Sequence, residues 1–329
     1  MEKTEKKTKY VTLRDIAKRL GISTNAVSKA LKDASDISET TKERVRKMAA
    51  ELGYVPNSFA ADLKRGISNQ ILIVFNDFNN PYFPIFCNKA FAAIKDNGYD
   101  PHLYFCRSQF IDTDIINATA ASKFCGVISF VEPTVEVSSF FKKKHIPFCL
   151  IGINSSVPYI DCVFTDDYHA GRLIGEYFLE GPRTKALYVS DSPSETSYRR
   201  YSGFVEAIKD GKSNKSFELV SGNDIHQLIK ITYNKILKES IDFVFCHSDS
   251  LALTIHSHLA KEKYDKKITL TGFDNLHKYS VLYQKITSID YNMDEILHFT
   301  LDVLIKKIKQ EIPLDEYIKQ MFDVTLDEK

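Results

Sequence analysis

The 329-residue sequence contains no tryptophan, and its six cysteines (Cys87, Cys106, Cys125, Cys149, Cys162 and Cys246) never form a CxxC pair. Most of them sit in apolar runs such as "FCGVISF". A zinc ribbon or disulfide scaffold needs closely spaced cysteines, so the expectation is buried, reduced thiols. No apolar run is long enough for a transmembrane helix. The opening "MEKTEKKTKY" carries charge where a signal peptide carries an apolar core. A soluble, cytoplasmic protein is the reading, with no membrane partner. Neither GxGxxG nor the GxxxxGK phosphate loop occurs, and no GxSxG elbow presents a serine nucleophile. His247, His256 and His258 lie close in sequence, but helix residues two apart do not share a face. They read as solvated histidines rather than metal ligands. No enzyme, cofactor or metal is therefore expected.

Charge is unevenly placed. The net formal charge is +1, yet residues 1–66 hold 15 Lys and Arg against 9 Asp and Glu, and the remainder holds 29 against 34. A basic first fifth on an acidic body suits a head that binds a polyanion, although a solvated charged face has the same composition. In that head Leu13, Ile16, Ala17 and Leu20 recur at helical spacing, and Gly21 stops the run. Ser23 caps a second helix with Ala26, Val27, Ala30 and Leu31 inward. A third starts near Ser38 and turns Val45, Met48, Ala49 and Leu52 inward, with Lys42, Arg44, Arg46 and Lys47 as a basic outer surface. Three short helices with a glycine turn describe a helix–turn–helix. Thr24, Asn25 and Lys29 at the front of its second helix can exchange hydrogen bonds with base edges, Asn matching adenine.

After residue 66 the pattern changes to short buried strands alternating with amphipathic helices. "QILIVF", "HLYFC", "GVISF" and "PFCLIG" are strands of a first series, and "KALYVS", "FELVS", "IDFVFCH" and "ITLTGFD" of a second. Two βα series imply two lobes with helices on both faces of parallel sheets, and a ligand cleft between them. "ITSIDYN" and the helix "DEILHFTLDVLIKKIKQE" are expected to return to the first lobe.

The segment "DIAKRLGIS … AVSKAL … ISETTKERV … ELGYVPN" resembles the head of the lactose/galactose-repressor (LacI/GalR) family in order and spacing. The resemblance implies an α plus α/β chain in three parts: a three-helix DNA-binding head over 10–57, a hinge helix over 58–66, and a two-lobed type I periplasmic-binding-protein-like effector and dimerisation domain over 67–329. It places Thr24, Asn25 and Lys29 on bases, Ser23, Tyr54 and Asn57 on phosphates, and Leu63 as a wedge in the minor groove. Asp62 departs from the small polar residue common there. In the body, "NNPYF", "RRYSGF", "HSDSLAL" and "TGFDN" follow the family's order. They carry over Tyr82, Phe83, Asp166, Arg200, Ser248, Asp249 and Asp274 as pocket residues, suited to sugar hydroxyls and a sugar's apolar face. Each also has a structural reading: Tyr82 and Phe83 as core aromatics, Asp166 and Asp249 as helix caps, Arg200 as a surface base, Asp274 as a turn residue. Ser248 replaces the Asn common at its position. The implied function is a homodimeric regulator, in the family's usual mode a repressor, on a near-palindromic double-stranded DNA operator with a small effector. A protein co-effector, a nucleobase effector, and a cytoplasmic solute-binding protein are the alternatives.

Overall fold

The computed structural model describes residues 11–54, 69–121, 124–192 and 194–329. The chain divides between Ile67 and Ser68 into two compact units.

The first unit contains α1 (Leu13–Leu20), α2 (Thr24–Leu31) and α3 (Glu39–Leu52). Ser23 Oγ accepts from the Ala26 amide at 3.1 Å, and Ser38 Oγ from the Thr41 amide at 3.4 Å. Each satisfies an amide that the helix start leaves open. Gly21 and Gly53 close α1 and α3 in the left-handed conformation, where a Cβ would be strained. The expected stripes are the buried ones: Ile16, Ala17, Val27, Ala30, Val45 and Ala49 form the core. The basic surface of α3 is smaller than its sequence suggests. Lys42 is only 6% exposed and pairs with Glu39 at 2.6 Å, and Arg46 pairs with Asp33. The hinge expected over 58–66, with Asn57 and Leu63, lies outside the described residues.

The second unit opens with β1 (Gln70–Phe75), α4 (Tyr82–Asp96), β2 (Asp100–Phe105), β3 (Phe110–Ile111), α5 (Asp114–Ala121), β4 (Phe124–Ser129), β5 (Glu132–Pro133), α6 (Val135–Lys143), β6 (Phe148–Ile151) and β7 (Asp161–Thr165). It continues with α7 (Asp167–Glu180), β8 (Lys185–Ser190), α8 (Glu195–Asp210), β9 (Ser216–Ser221), α9 (Ile225–Glu239), β10 (Phe243–Cys246), α10 (Asp249–Lys261) and β11 (Thr269–Phe273). It ends with α11 (Leu276–Tyr279), β12 (Thr287–Asp290), α12 (Met293–Ile308), β13 (Lys319–Phe322) and β14 (Thr325–Asp327).

Two six-stranded sheets result, in the orders β13-β7-β6-β4-β1-β2 and β14-β12-β11-β10-β8-β9. All neighbours are parallel except β12 and β14. Strand β1 is apolar and buried throughout, as a strand covered on both faces must be. The chain crosses between lobes three times: from β7 into α7, from β12 into α12, and from β13 into β14. "ITSIDYN" therefore does not return to the first lobe; β12 stays beside β11, and only α12 goes back, packing on α4 and β4.

Two contacts fix the lobes. On the first, Lys307 and Asp161 are 1% and 2% exposed and meet at 2.6 Å. Asp161 also accepts from the Ile318 amide at 2.8 Å, so the pair ties α12, β7 and the run into β13 together. On the second, α7 and α8 touch backbone to backbone. A Cβ on Gly171 would stand 2.0 Å from the Arg200 carbonyl oxygen, and one on Gly203 would stand 1.9 Å from that of Tyr168. Gly203→Ala should therefore destabilise the second unit by about 3 kcal/mol, while Gly222→Ala, with open space around it, should be near neutral. Thermal denaturation of both variants checks this; equal melting temperatures would contradict the close approach.

Candidate functional site

On the head, Ser23, Thr24 and Asn25 are exposed at the N-terminal end of α2. Ser23 is committed to capping, while Thr24 and Asn25 stand on the outer surface of the first turn. Lys29 follows on the same surface and is ion-paired with Asp36, whose carboxyl it holds below the usual range. Tyr54 packs partly buried against the head's core.

On the body, a cavity of about 480 Å³ lies between the sheets. Its walls come from the C-terminal ends of strands in both lobes, as expected where parallel sheets face one another. The first lobe supplies Asn76, Asn80, Tyr82 and Phe83 after β1, with Phe130 and Glu132 after β4. The second supplies Ser192 after β8, Arg200 from α8, His247 and Ser248 after β10, Asp274 after β11 and Tyr291 after β12.

Arg200 is held from three sides. Its Nε donates to Asp167 at 2.7 Å, its Nη1 donates to the His247 carbonyl at 2.6 Å, and its guanidinium covers the Phe273 ring. Asp274 has φ 106 and Asn275 has φ 46, a left-handed pair that non-glycine residues adopt only when the surroundings hold them. Asn275 is anchored to Ser288 at 3.1 Å and to Asp327 of β14 at 2.9 Å. Asp274 accepts from the Tyr291 hydroxyl at 3.0 Å. Burial pushes the Asp274 carboxyl up to about 7, against the pull of Arg200 and of hydrogen bonds from Tyr291 and Asn80. His247 Nδ1 is shielded from solvent and has no hydrogen-bond partner among the described residues; burial and then Arg200 hold this ring well below its usual pKa, so it is neutral.

Of the seven pocket residues taken from the sequence, Tyr82, Phe83, Arg200, Ser248 and Asp274 line the cavity. Asp166 and Asp249 are not among its lining residues. Asp166 caps α7 by accepting from the His169 amide at 3.0 Å. Asp249 braces the loop behind the wall: it accepts from Ser288 Oγ at 2.6 Å and from the Leu276 amide at 2.8 Å. Gly272 leaves the room for it. His247 is a correction as well, being a wall residue and not a solvated one. Sequence reasoning missed Asn76, Asn80, Asp167, Glu132 and Tyr291. "NNPYF" had singled out the right loop but directed attention to its rings. In "TDDY" the second acid, not the first, faces Arg200, because the first is spent on the cap. Among the described residues no cluster of His, Cys, Asp or Glu is arranged to hold a metal, and no helix is long and apolar enough to cross a membrane.

Residues 12–57 match the model of "Bacterial regulatory proteins, lacI family", and residues 70–321 that of "Periplasmic binding proteins and sugar binding domain of LacI family". The HTH-type transcriptional repressor PurR of Mannheimia succiniciproducens is 23% identical over 308 residues, covering 90% of this chain and 92% of that one. The fold is similar to that of the Lac repressor dimer bound to operator and the anti-inducer ONPF, with a TM-score of 0.77 at 18% identity over 97% of this chain and 98% of that one. It is also similar to a LacI family regulator from Enterococcus faecium with bound ribose, with a TM-score of 0.67 at 20% identity over 79% and 97%.

Burial, and then the charge of Asp274, push the Asp249 carboxyl up to about 8. A raised carboxyl holds its proton in the fold and loses it in the unfolded chain. The stability it adds is complete below the unfolded value near 4 and is lost as pH rises through 8. His247 acts oppositely and only below about 6.5. Melting temperature should therefore fall from pH 6.5 to 8.5, and Asp249→Asn should flatten that fall. Parallel slopes for wild type and variant would remove Asp249 as its source.

Proposed function

The chain belongs to the lacI family of bacterial regulatory proteins, and on that premise we propose that it represses transcription as a homodimer on a near-palindromic operator, with a sugar effector in the interlobe cavity. The observation that carries this is one chain holding both halves of a switch. A helix presents Thr24 and Asn25 at its exposed front, and a separate unit holds a polar and aromatic cavity between two lobes.

Two-fold symmetry in a dimer calls for two half-sites in the operator, one for each α2. Thr24 and Asn25 read base edges. Lys29 exchanges Asp36 for a guanine or a phosphate. Ser23, Tyr54 and Asn57 orient the backbone of the DNA, and Leu63 enters the minor groove at the centre. In the cavity, Arg200, Ser248 and Asp274 meet hydroxyls, and Tyr82 and Phe83 meet the apolar face of a ring. Asp166 and Asp249 act as cap and brace. The family description and the ribose-bound relative support a sugar. A ligand touching both lobes favours one degree of closure. It can regulate only through the difference in its affinity for the DNA-competent and DNA-incompetent states. Such a regulator works in the cytoplasm, where the DNA is.

Selection from a random duplex library with the full chain should return a near-palindrome, and a chain lacking residues 1–66 should return none. A full chain that enriches no site would overturn the reading. Asn25→Ala should lose tenfold or more of its preference for the selected site while keeping salt-sensitive binding to any duplex, since a good bidentate contact is worth about 1–3 kcal/mol. Leu63→Ala should weaken operator binding and leave sugar affinity alone; titration of each variant with operator and scrambled duplex measures both.

A further inference from the structure

We propose that the cavity takes an effector without an anionic group, a free or amine-bearing sugar rather than its phosphate ester or acid. The inference rests on the sugar reading above and adds the charge that the site selects.

Arg200 is the one cation among the described residues lining the cavity, and its charge is already matched by Asp167, which accepts from it at 2.7 Å, while the His247 carbonyl takes a second donor at 2.6 Å; the donors left over can serve hydroxyls. No lysine lines the wall, and His247 is neutral. Against this stand three acids in the lining, Glu132 from the first lobe and Glu195 and Asp274 from the second. The rim is acidic too. Asp191 of the second lobe, next to Ser192 of the wall, has its carboxyl raised by burial and by the charge of Asp77 of the first, which follows Asn76 of the wall, so like charges from the two lobes face one another. Burial pushes the Asp274 carboxyl up to about 7 despite Arg200 beside it, so the space is one in which a carboxylate is costly to hold. A phosphate or carboxylate placed here would meet like charge and no free cation, and a buried anion without a partner binds poorly. Hydroxyls lose nothing by comparison. They donate to Asp274 and Glu132. An ammonium gains further from the negative charge of these acids, none of which has a cation for its hydrogen-bond partner among the described residues.

The test is a thermal-shift titration of the full chain with matched sets: D-ribose with ribose 5-phosphate, and D-glucose with D-glucosamine, glucose 6-phosphate and gluconate, with cellobiose added. The expected result is that a free sugar or amino sugar raises the melting temperature and that its phosphate or acid needs at least a hundredfold higher concentration. A phosphate ester or acid that acts at equal or lower concentration than its parent overturns the charge selection and leaves the sugar reading standing. No shift from any member overturns the sugar reading, and the selection with it.

Discussion

The contact between α7 and α8 is the constraint on which the cavity depends. Arg200 reaches Asp167 because the helices carrying them meet at backbone distance, and they meet because Gly171, Gly175 and Gly203 have no Cβ to hold them apart. With larger residues the helices would separate by the width of a side chain. Asp167 would then fall short of the guanidinium, leaving a charge with 3% exposure unpaired. Arg200 would also lose its position over Phe273 and under His247. A small-residue seam on one side of the lobe thus sets the polar wall on the other.

A second constraint is topological. Because the chain passes between lobes three times, neither lobe is one continuous segment. Strand β13 completes the first sheet and β14 the second, so the final residues stitch the two together. Asp327 of β14 holds Asn275, and Asn275 holds the left-handed turn that presents Asp274. Lys285 pairs with Asp327 at 2.9 Å on the far side. The tail is therefore part of how the cavity wall is kept in shape. Any change in the angle between the lobes would have to be accommodated where the three crossings run, and β13 and β14 are only two residues apart at theirs.

Much of this was legible in the sequence, for physical reasons. The head's helices are marked by caps, a glycine stop and a 3.6-residue stripe, all local signals, and each appears where expected. Central strands announce themselves as apolar runs. What stayed hidden is long-range. "DCVFT" as β7 was obscured by the acids that flank it; the cation that pairs with Asp161, Lys307, lies 146 positions away. The strands of the tail, too polar to read as buried, are edge strands that borrow their partners from distant β7 and β12. The division of labour between Asp166 and Asp167 depends on where α7 begins to the residue, and the inward turn of Lys42 depends on Glu39 one turn before it.

The chemistry of the cavity also determines how finely it can discriminate. A site that grips through a charged clamp binds any ligand with the complementary charge. Here the charges are matched internally or repelled, so for the sugar proposed above affinity would come from individual hydroxyls meeting individual acceptors and donors. Asp274 and Ser248 are already buried, and Asn80 and the neutral ring of His247 line the same space. An analogue lacking the partner hydroxyl leaves such a group buried and unsatisfied, which costs about 1–3 kcal/mol per group. A spare methylene against Phe83 or Phe130 changes far less. Polar sites of this kind reject a missing hydroxyl more strongly than apolar walls reject a small change in bulk. The same arithmetic governs switching. If such a ligand bridges both lobes, only the difference in its affinity between two arrangements of the lobes could change affinity for DNA.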